Sequence, residues 1–492
     1  MTSKRNLTAE DRKFFILVRK ALITNPFSLE RLDIDIKIAN FNQTNEQPHD
    51  IEAAVSSIES RISSIEENTS NIIHYYEGKD RQVLETAILF LFFYRFRKQF
   101  DQFIINQIEE GDNPLKLTFV DEIFQFLEPR GFSEEEIQRA IEHSYQFRRA
   151  FYFIDRSLIG RSPVMKMLRY NLWNNIFTHN VDMYGKFLIN RMEDFSTLVL
   201  GETGTGKGMV ARAIGRSGYI PFDPKKQSFV ESFMRSFVSI NLSQFPETLI
   251  ESELFGHKKG AFTGAIDDYM GVFGRCSSYG AIFLDEIGEI SQPIQIKLLQ
   301  VLQDRFYFPV GSRQQQRFQG RVISATNRSI DELRHQNLFR DDFYYRMCSD
   351  VIVVPPLRQR IQEDPAELDD LIQFIIRRIV GTDSRELTYL VRASIRKQLG
   401  PNYPWYGNVR ELEQCVRSVI LKKQYFGDTR MQQQSLLTRL GSLIDGEEIS
   451  ANQLLSGYCK LLYDRFGTYE EVARRTQLDR RTVTKHIKNW QD

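Results

Sequence analysis

The sequence predicts a multidomain protein: a mostly helical N-terminal domain, an α/β domain with a helical lid, and an all-α C-terminal domain built as a helix-turn-helix. Three observations carry this division. Apolar residues recur at three and four spacing up to about residue 155, short apolar strands alternate with helical periods from about Ser157, and the last forty residues hold two helical periods separated by a tight turn. The boundaries drawn are 1–155, 156–357 for the sheet-bearing part, 358–430 for the lid, 431–450 for a linker and 451–492. At 492 residues each domain is large enough for its own core.

Composition narrows the function classes. With 41% hydrophobic and 26% charged residues the chain is of globular type, and a net charge of +1 supplies no global field toward nucleic acid, so any DNA contact has to come from a local basic patch. Cys276, Cys348, Cys415 and Cys459 form no CxxC pair and have no histidine at ligand spacing, which argues against structural zinc and disulfides and fits a reducing compartment. The most apolar run, 87–94, is broken by Arg95, Arg97 and Lys98 before it could span a bilayer, and Lys4, Arg5, Glu10 and Asp11 precede no signal-type segment. The expectation is a cytoplasmic protein without a membrane partner.

In the N-terminal region the helical period is set by residues such as Phe14, Leu17 and Leu22, or Ile51, Val55, Ile58, Ile62 and Ile65. Polar stretches at 40–50 and 111–114 read as loops. A phosphoacceptor receiver domain would open on a strand ending in paired acids; that pattern is absent, so a regulatory domain of another kind is expected. Phe90, Phe92, Phe93, Tyr94, Phe96, Phe100 and Phe103 either line a ligand pocket or fill the space between helices, and helical spacing favours the second. Arg95, Arg97 and Lys98 read as a solvated face.

The alternating region predicts strands at Thr197–Leu200, Phe237–Asn241, Ala281–Asp285, Arg321–Thr326 and 351–354, a parallel pattern with crossover helices. Gly201, Glu202, Thr203, Gly204, Thr205, Gly206 and Lys207 lie between the first strand and a helical period, the setting a phosphate-binding loop requires: glycines let backbone N–H groups wrap phosphates, Lys207 reaches the terminal ones, and the helix N-terminus favours negative charge. Gly208 stands where the general motif has Ser or Thr, so a Mg²⁺ ion loses its usual hydroxyl ligand. Asp285 and Glu286 end an apolar strand; Asp285 is the expected metal-holding acid and Glu286 the group that orients or deprotonates the attacking water. ATP and Mg²⁺ are the expected ligands. After Pro355 and Pro356 the chain turns helical through Leu421, and a glutamine-rich linker covers 431–435.

Between the two motifs lies the run 251–265, ESELFGHKKGAFTGA. Its tip, Gly260, Ala261, Phe262, Thr263, Gly264 and Ala265, combines small residues with one aromatic and one hydroxyl, a composition suited to touching a partner rather than building a core. On these residues the sequence resembles the bacterial enhancer-binding proteins, AAA+ ATPases that activate sigma-54 RNA polymerase and whose GAFTGA loop engages the sigma factor. The resemblance covers roughly 157–417, with a weaker match at the C-terminus. It implies that Asn241 restrains the catalytic glutamate, that Asn327 senses the terminal phosphate, and that Arg410 brings the lid onto the nucleotide. It also implies that Arg340 and Arg346 act as arginine fingers across a subunit boundary in a ring, a homo-oligomer and by resemblance a hexamer. Gly208 departs from the family's carboxylate-bearing residue there, and Tyr406 stands for its usual proline. A second loop, 306–316, sits where the family has a supporting pore loop, though an ordinary surface hairpin fits equally. Two stretches, 174–194 and 218–236, are longer than the family's; surface elaboration and docking of the N-terminal domain both remain open.

At the C-terminus, 468–476 and 480–490 flank a turn at Gln477, Leu478 and Asp479, with Asp479 as N-cap and Leu478, Val483 and Ile487 facing a core. That leaves Arg480, Arg481, Thr482, Thr484, Lys485 and Lys488 for double-stranded DNA. The segment resembles the Fis-type helix-turn-helix of these activators, with Gln477 replacing the turn glycine. The resulting expectation is an ATP-dependent activator that binds upstream DNA and remodels the sigma-54 RNA polymerase holoenzyme. Two other classes compete: a nucleotide-gated DNA-binding regulator acting without sigma-54, and an unfolding partner of a protease, which a DNA-binding terminus disfavours.

Overall fold

The computed structural model describes residues 6–41, 51–66, 71–427, 436–437, 440–441, 443–444 and 449–490; most of the loop expected at 40–50 and the linker expected at 431–435 lie outside them. Seven helices open the chain: α1 (Ala9–Ile23), α2 (Leu29–Ala39), α3 (Ile51–Glu66), α4 (Gly78–Arg95), α5 (Arg97–Glu110), α6 (Val120–Leu127) and α7 (Glu134–Ser157). Their starts are written in side chains. The Thr8 and Ser28 oxygens accept from the Asp11 and Arg31 N–H groups, and Ser133 with Glu136 forms a reciprocal capping box at α7. The α4–α5 aromatic stripe is mostly core, as its spacing predicts: Phe90, Phe92, Phe96, Phe100 and Phe103 are buried, whereas Phe93 and Tyr94 stay partly exposed.

After α8 (Pro163–Phe177) and a single turn, α9 (Val181–Met183), the chain enters a five-stranded sheet in which every pairing is parallel. Its strands are β1 (Thr197–Leu200), β4 (Phe237–Asn241), β5 (Ala281–Asp285), β8 (Arg321–Thr326) and β9 (Asp350–Val353), in the order β4-β5-β8-β1-β9. Four coincide with the sequence expectation; the fifth begins one residue early. Two hairpins, β2 (Phe222–Asp223) with β3 (Ser228–Phe229) and β6 (Phe306–Tyr307) with β7 (Gln316–Arg317), stand outside the sheet. The crossovers are α10 (Lys207–Gly215), α11 (Glu247–Phe255), α12 (Val272–Arg275), α13 (Gln292–Asp304), α14 (Ile330–His335) and α15 (Asp341–Met347). Alternation along the strands sends Leu198, Ile240, Ile282, Leu284 and Val322 to one core and Val199, Phe283, Ile323, Ala325 and Ile352 to the other.

The second of these cores continues without a break into the N-terminal helices, because α10 contacts the sheet as well as α7 and α8. The long stretch 218–236 takes part. The Leu117 N–H donates to the Gln227 carbonyl at 2.8 Å, the Tyr145 and Phe229 rings stack at 3.9 Å, and Glu142 accepts from the Tyr219 hydroxyl and the Phe222 N–H at 2.7 and 3.0 Å. Arg149, wholly buried, donates to the Gly218 carbonyl and lies over the Tyr145 and Phe233 rings at 4.6 and 5.5 Å. This stretch is therefore a docking surface for the N-terminal helices. The boundary expected at 155/156 falls inside α7, and residues on both sides of it share one core.

The chain divides into two compact units, 1–371 and 372–492, so the expected lid, 358–430, is split between them. The first contains α16 (Leu357–Glu363) and the start of α17 (Ala366–Val380), where the buried Arg360–Glu367 pair at 2.6 Å ties the two together. In the second unit α18 (Arg385–Gln398) packs on α19 (Asn408–Lys422), and helices Ala451–Phe466, Tyr469–Thr476 and Arg480–Asn489 close over Cys459, Leu462, Val472 and Val483. Among the described residues no helix is long and apolar enough to cross a membrane.

Because the N-terminal helices complete a core rather than sit beside one, a chain begun at residue 156 uncovers Phe222, Phe229 and Phe233. We expect it to elute as aggregate on size-exclusion chromatography at concentrations where the full chain does not. Phe229→Ala in the full chain is expected to cost about 3–5 kcal/mol in denaturant unfolding.

Candidate functional site

The glycine loop joins the C-terminal end of β1 to the first turn of α10. Gly204 and Gly206 have φ of 81° and 106°, a region side chains avoid, and an added Cβ at Gly206 would meet nothing within 4 Å, so the loop backbone is open to a ligand. Lys207 starts α10 and is buried, its ammonium folded back to donate to the Gly201 and Glu202 carbonyls at 2.9 and 3.3 Å. Two contacts invisible in the motif fix the loop from outside. The Glu202 carboxylate pairs with Arg358 of α16 at 2.5 Å, and the Asn327 amide, just past β8, donates to the Thr203 hydroxyl at 2.8 Å.

Asp285 ends β5 in register with Asn241 at the end of β4. Glu286 follows with φ 57°, and its N–H donates to Asp285 Oδ1 at 3.1 Å. Its Oε2 is buried with no hydrogen-bond donor; burial raises the carboxyl pKa, opposed by the charge of Lys207. An unanswered carboxylate oxygen on this strand end is poised to accept a proton. The Asn241 oxygen accepts from the Ser243 N–H and hydroxyl at 3.0 and 2.7 Å, and no hydrogen bond joins its amide nitrogen to Glu286 Oε2 in this conformation, so the restraint implied by the resemblance is not formed there. At Gly208 an added Cβ would meet only the Phe283 ring, at 3.9 Å, so packing does not forbid a hydroxyl there.

The 260–265 loop rises between α11 and α12. Its base is stitched by backbone: the Lys258 N–H donates to Val310 and the Val310 N–H to Gly256, at 2.9 and 2.8 Å. Lys258 also pairs with Asp268 at 2.6 Å. Across the tip the Gly260 N–H donates to the Ala265 carbonyl at 2.8 Å and the Ala265 N–H to the Phe262 carbonyl at 3.0 Å. Phe262 is 39% exposed and meets the His257 ring edge-on, Thr263 and Gly264 are exposed, and Ile266 and Met270 add further apolar surface. Ala265 departs from the contact set expected of the six: it is buried, closing the loop instead of presenting a face. The second loop is no free hairpin, since Gly311 lies so close to Ala261 that an added Cβ would come within 2.7 Å of its methyl.

The two expected finger arginines rest within their own subunit. Arg340 makes a two-point pair with Asp342 at 3.0 and 2.7 Å, and Arg346 donates twice to the Leu302 carbonyl at the end of α13, at 3.0 and 2.7 Å. Arg410 lies in the first turn of α19, in the second unit. The turn before it is held by Glu411, which accepts from the Tyr403 hydroxyl and the Gly407 N–H, while Tyr406 is only partly buried.

In the terminal helix pair Asp479 Oδ1 accepts from the Arg481 and Thr482 N–H groups, both at 3.0 Å, the N-cap the sequence predicts. Gln477 adopts φ 57°, a glycine-like turn carrying a side chain. Val483 is buried, with Leu478 and Ile487 partly so. Arg481, Lys485 and Lys488 are exposed, whereas Arg480 pairs with Glu470 at 2.9 Å. The Thr482 and Thr484 hydroxyls bond back to Asp479 and the Arg480 carbonyl.

Two outcomes follow from this geometry. Gly208→Ser is expected to leave the melting temperature unchanged within about 2 °C, since it fills open space at a helical position. Glu286 has its folded pKa raised, so ionising it costs stability as pH rises through that value. Glu286→Gln should therefore raise the melting temperature at neutral pH by about 1–2 °C, and the gain should vanish below about pH 4, where the carboxyl is neutral folded and unfolded. Calorimetric scans across pH check both.

Residues 181–353 match the family described as the sigma-54 interaction domain. Among curated proteins, the chain is 36% identical over 295 residues to the Nif-specific regulatory protein of Azotobacter vinelandii, covering 59% of this chain and 48% of that one. It is 42% identical over 268 residues to the Nif-specific regulatory protein of Klebsiella pneumoniae, covering 54% and 44%. It is 36% identical over 260 residues to the DNA-binding transcriptional regulator NtrC of Azospirillum brasilense, covering 53% and 47%. The chain thus spans about half the length of the curated relatives it matches. Over residues 181–353 the chain is thus similar to the sigma-54 interaction domain, and the curated relatives it resembles are Nif-specific and NtrC regulators.

Proposed function

We propose that the protein is an ATP-dependent transcription activator that binds upstream DNA and uses hydrolysis to remodel the closed complex of the sigma-54 RNA polymerase holoenzyme. The observation that carries this reading is the placement of the exposed Phe262–Thr263 tip on the connection between β4 and β5, the two strands whose ends bear Asn241 and the Asp285–Glu286 pair. The donor set suits a nucleoside triphosphate with Mg²⁺: glycine backbone, the Lys207 ammonium, the Thr203 and Thr205 hydroxyls, and Asp285. Asp285 would hold magnesium, which when bound would supply charge neutralisation to the phosphates.

The chain's own residues divide the remaining work. Lys207 leaves its loop carbonyls to meet phosphate. Glu286, with an unanswered oxygen, takes the proton of the attacking water. Asn327, already on Thr203, reports the state of the terminal phosphate, and Asn241 releases Ser243 to hold Glu286 in the idle state. Arg410 closes the lid. Arg340, whose Asp342 partner is itself half-exposed, exchanges that pair for the nucleotide of a neighbouring subunit, and Arg346 does likewise on release from Leu302; both require a ring of copies. Arg481, Lys485 and Lys488 supply the phosphate contacts of the terminal helix pair, with Arg480 joining on leaving Glu470.

One observation favours a second reading, a regulator that binds nucleotide to control assembly without sigma-54: Gly208 withholds a metal ligand. Permanganate reactivity of unpaired thymines at a sigma-54 promoter separates the two. The activator reading expects melting with ATP and none with a nonhydrolysable analogue; no melting with ATP sinks it. Lys207→Ala is expected to abolish nucleotide binding, and Thr263→Ala to retain ATP turnover while losing promoter melting. Normal melting by the Thr263 variant would remove the loop from the mechanism.

A further inference from the structure

The N-terminal helices enclose a pocket of about 570 Å³ that the nucleotide site and its loops do not use. Small-molecule sites run from roughly 300 to 1,000 Å³. Its walls come from the α1–α2 connection with Phe27, from α4 with Phe93 and Tyr94, from α7 with Phe151, and from α8 with Lys166 and Trp173. The Phe27 and Phe151 rings stack at 5.2 Å, 13° from parallel, and Trp173 meets Phe27 edge-on at 6.1 Å, which makes one wall flat and aromatic.

The polar groups of the lining are unequally satisfied. Arg31 donates to Asp35, to the Ala21 carbonyl and to the Tyr94 hydroxyl; Arg148 makes a two-point pair with Asp101 at 2.6 and 2.7 Å; Arg97 pairs with Glu52. Lys166, exposed, has no side-chain partner among the described residues, and the buried Trp173 indole N–H has no acceptor. The Trp173 nitrogen is sealed from solvent, so the pocket offers an apolar slot with one unanswered donor, the cationic Lys166. A cation would be repelled by Lys166, whereas an anion would pair with it.

We propose that this pocket binds a small molecule with a flat aromatic body and one negative group, of the aryl carboxylate class. Its ring lies along the Phe27–Phe151 wall and its negative group answers Lys166. The wall helix also reaches the sheet. Asn175 of α8 donates to Thr197 Oγ1 of β1 at 3.0 Å and to Asp350 at 2.6 Å, and the buried Arg321 donates to the Asn175 side-chain oxygen at 2.9 Å. Trp173 is two residues from this clamp, and β1 runs directly into the glycine loop. Occupancy of the pocket is thereby coupled to ATP turnover, a consequence that rests on the ATPase reading while the binding site does not.

The test titrates the full chain, without nucleotide, with 2-naphthoate and with its neutral counterpart 2-naphthylmethanol by isothermal calorimetry. Saturable binding of 2-naphthoate is expected. Lys166→Gln, which breaks no bond in the fold, should weaken it by about fivefold and leave 2-naphthylmethanol unchanged. No binding of either probe at millimolar concentration overturns the site, and equal naphthoate affinity in the Lys166 variant overturns its anionic selectivity. ATP turnover is then compared with and without 2-naphthoate. A change in rate that Lys166→Gln shifts to higher ligand concentration supports the coupling; binding with an unchanged rate overturns the coupling alone.

Discussion

The arrangement depends on one constraint: α10, the helix that begins with Lys207, lies between the sheet and α7 with apolar residues on both sides. Val210, Ala211, Ala213 and Ile214 are all buried, and only a narrow stripe through Met209 and Arg212 reaches solvent. The phosphate loop thus rests on a core shared by the sheet and the N-terminal helices, and a shift in those helices is felt at the N-terminus of α10 without an intervening linker. Arg149 marks how tightly the second interface is specified. A buried guanidinium with two unpaired nitrogens is expensive, its pKa lowered by burial, and the Gly218 carbonyl, the faces of Tyr145 and Phe233 and the charge of Glu231 offset part of that cost. A different seating of α7 would lose the contacts to Gly218 and Phe233, Tyr145 being on α7 itself.

What was legible in the sequence follows from where its periodicity is local. Parallel strands buried on both faces read as short apolar runs, and four of the five were placed to the residue; glycine loops and terminal acids are local too, so Lys207, Asp285 and Glu286 sit where the motifs put them. What escaped is long-range pairing. Nothing near Glu202 announces Arg358, 156 positions on, and nothing near Thr203 announces Asn327, 124 positions on. The stretch 218–236 is similar: its aromatics, Phe222, Phe229 and Phe233, carry no period, because their partners Tyr145 and Phe153 lie on another element. The aromatic stripe on α4 and α5 was legible as core, but periodicity could not show that Phe93 and Tyr94 turn toward a pocket, since that depends on where α1 ends and α8 begins.

The resting partners of the arginines carry a second lesson. A motif assigns Arg340 and Arg346 the same role, yet the fold holds them unequally. Arg340 shares its charge with a half-exposed carboxylate, where screening keeps the pair weak, whereas both bonds of Arg346 go to one backbone carbonyl in a partly buried position. Leu302 ends α13, and that carbonyl belongs to the last turn of the helix, where acceptors lack intrahelical donors and favour cations. Releasing Arg346 therefore unsatisfies a helix end as well as a cation.

The geometry of the two loops limits how the exposed tip can move. Bonds between Lys258, Val310 and Gly256, together with the close contact of Gly311 and Ala261, join 256–265 to 306–311. Any displacement of Phe262 then carries the second loop with it, or breaks two backbone hydrogen bonds at once. The base is narrower still. Gly256 and Gly271 face each other where the chain leaves and re-enters the domain, and an added Cβ on Gly271 would come within 2.3 Å of the Gly256 nitrogen. Two strands crossing that closely cannot splay, but glycines can rotate about φ and ψ at little cost. The two loops are thus joined at a base that the Gly256–Gly271 crossing closes, next to α11, whose first residues follow the turn that Asn241 caps.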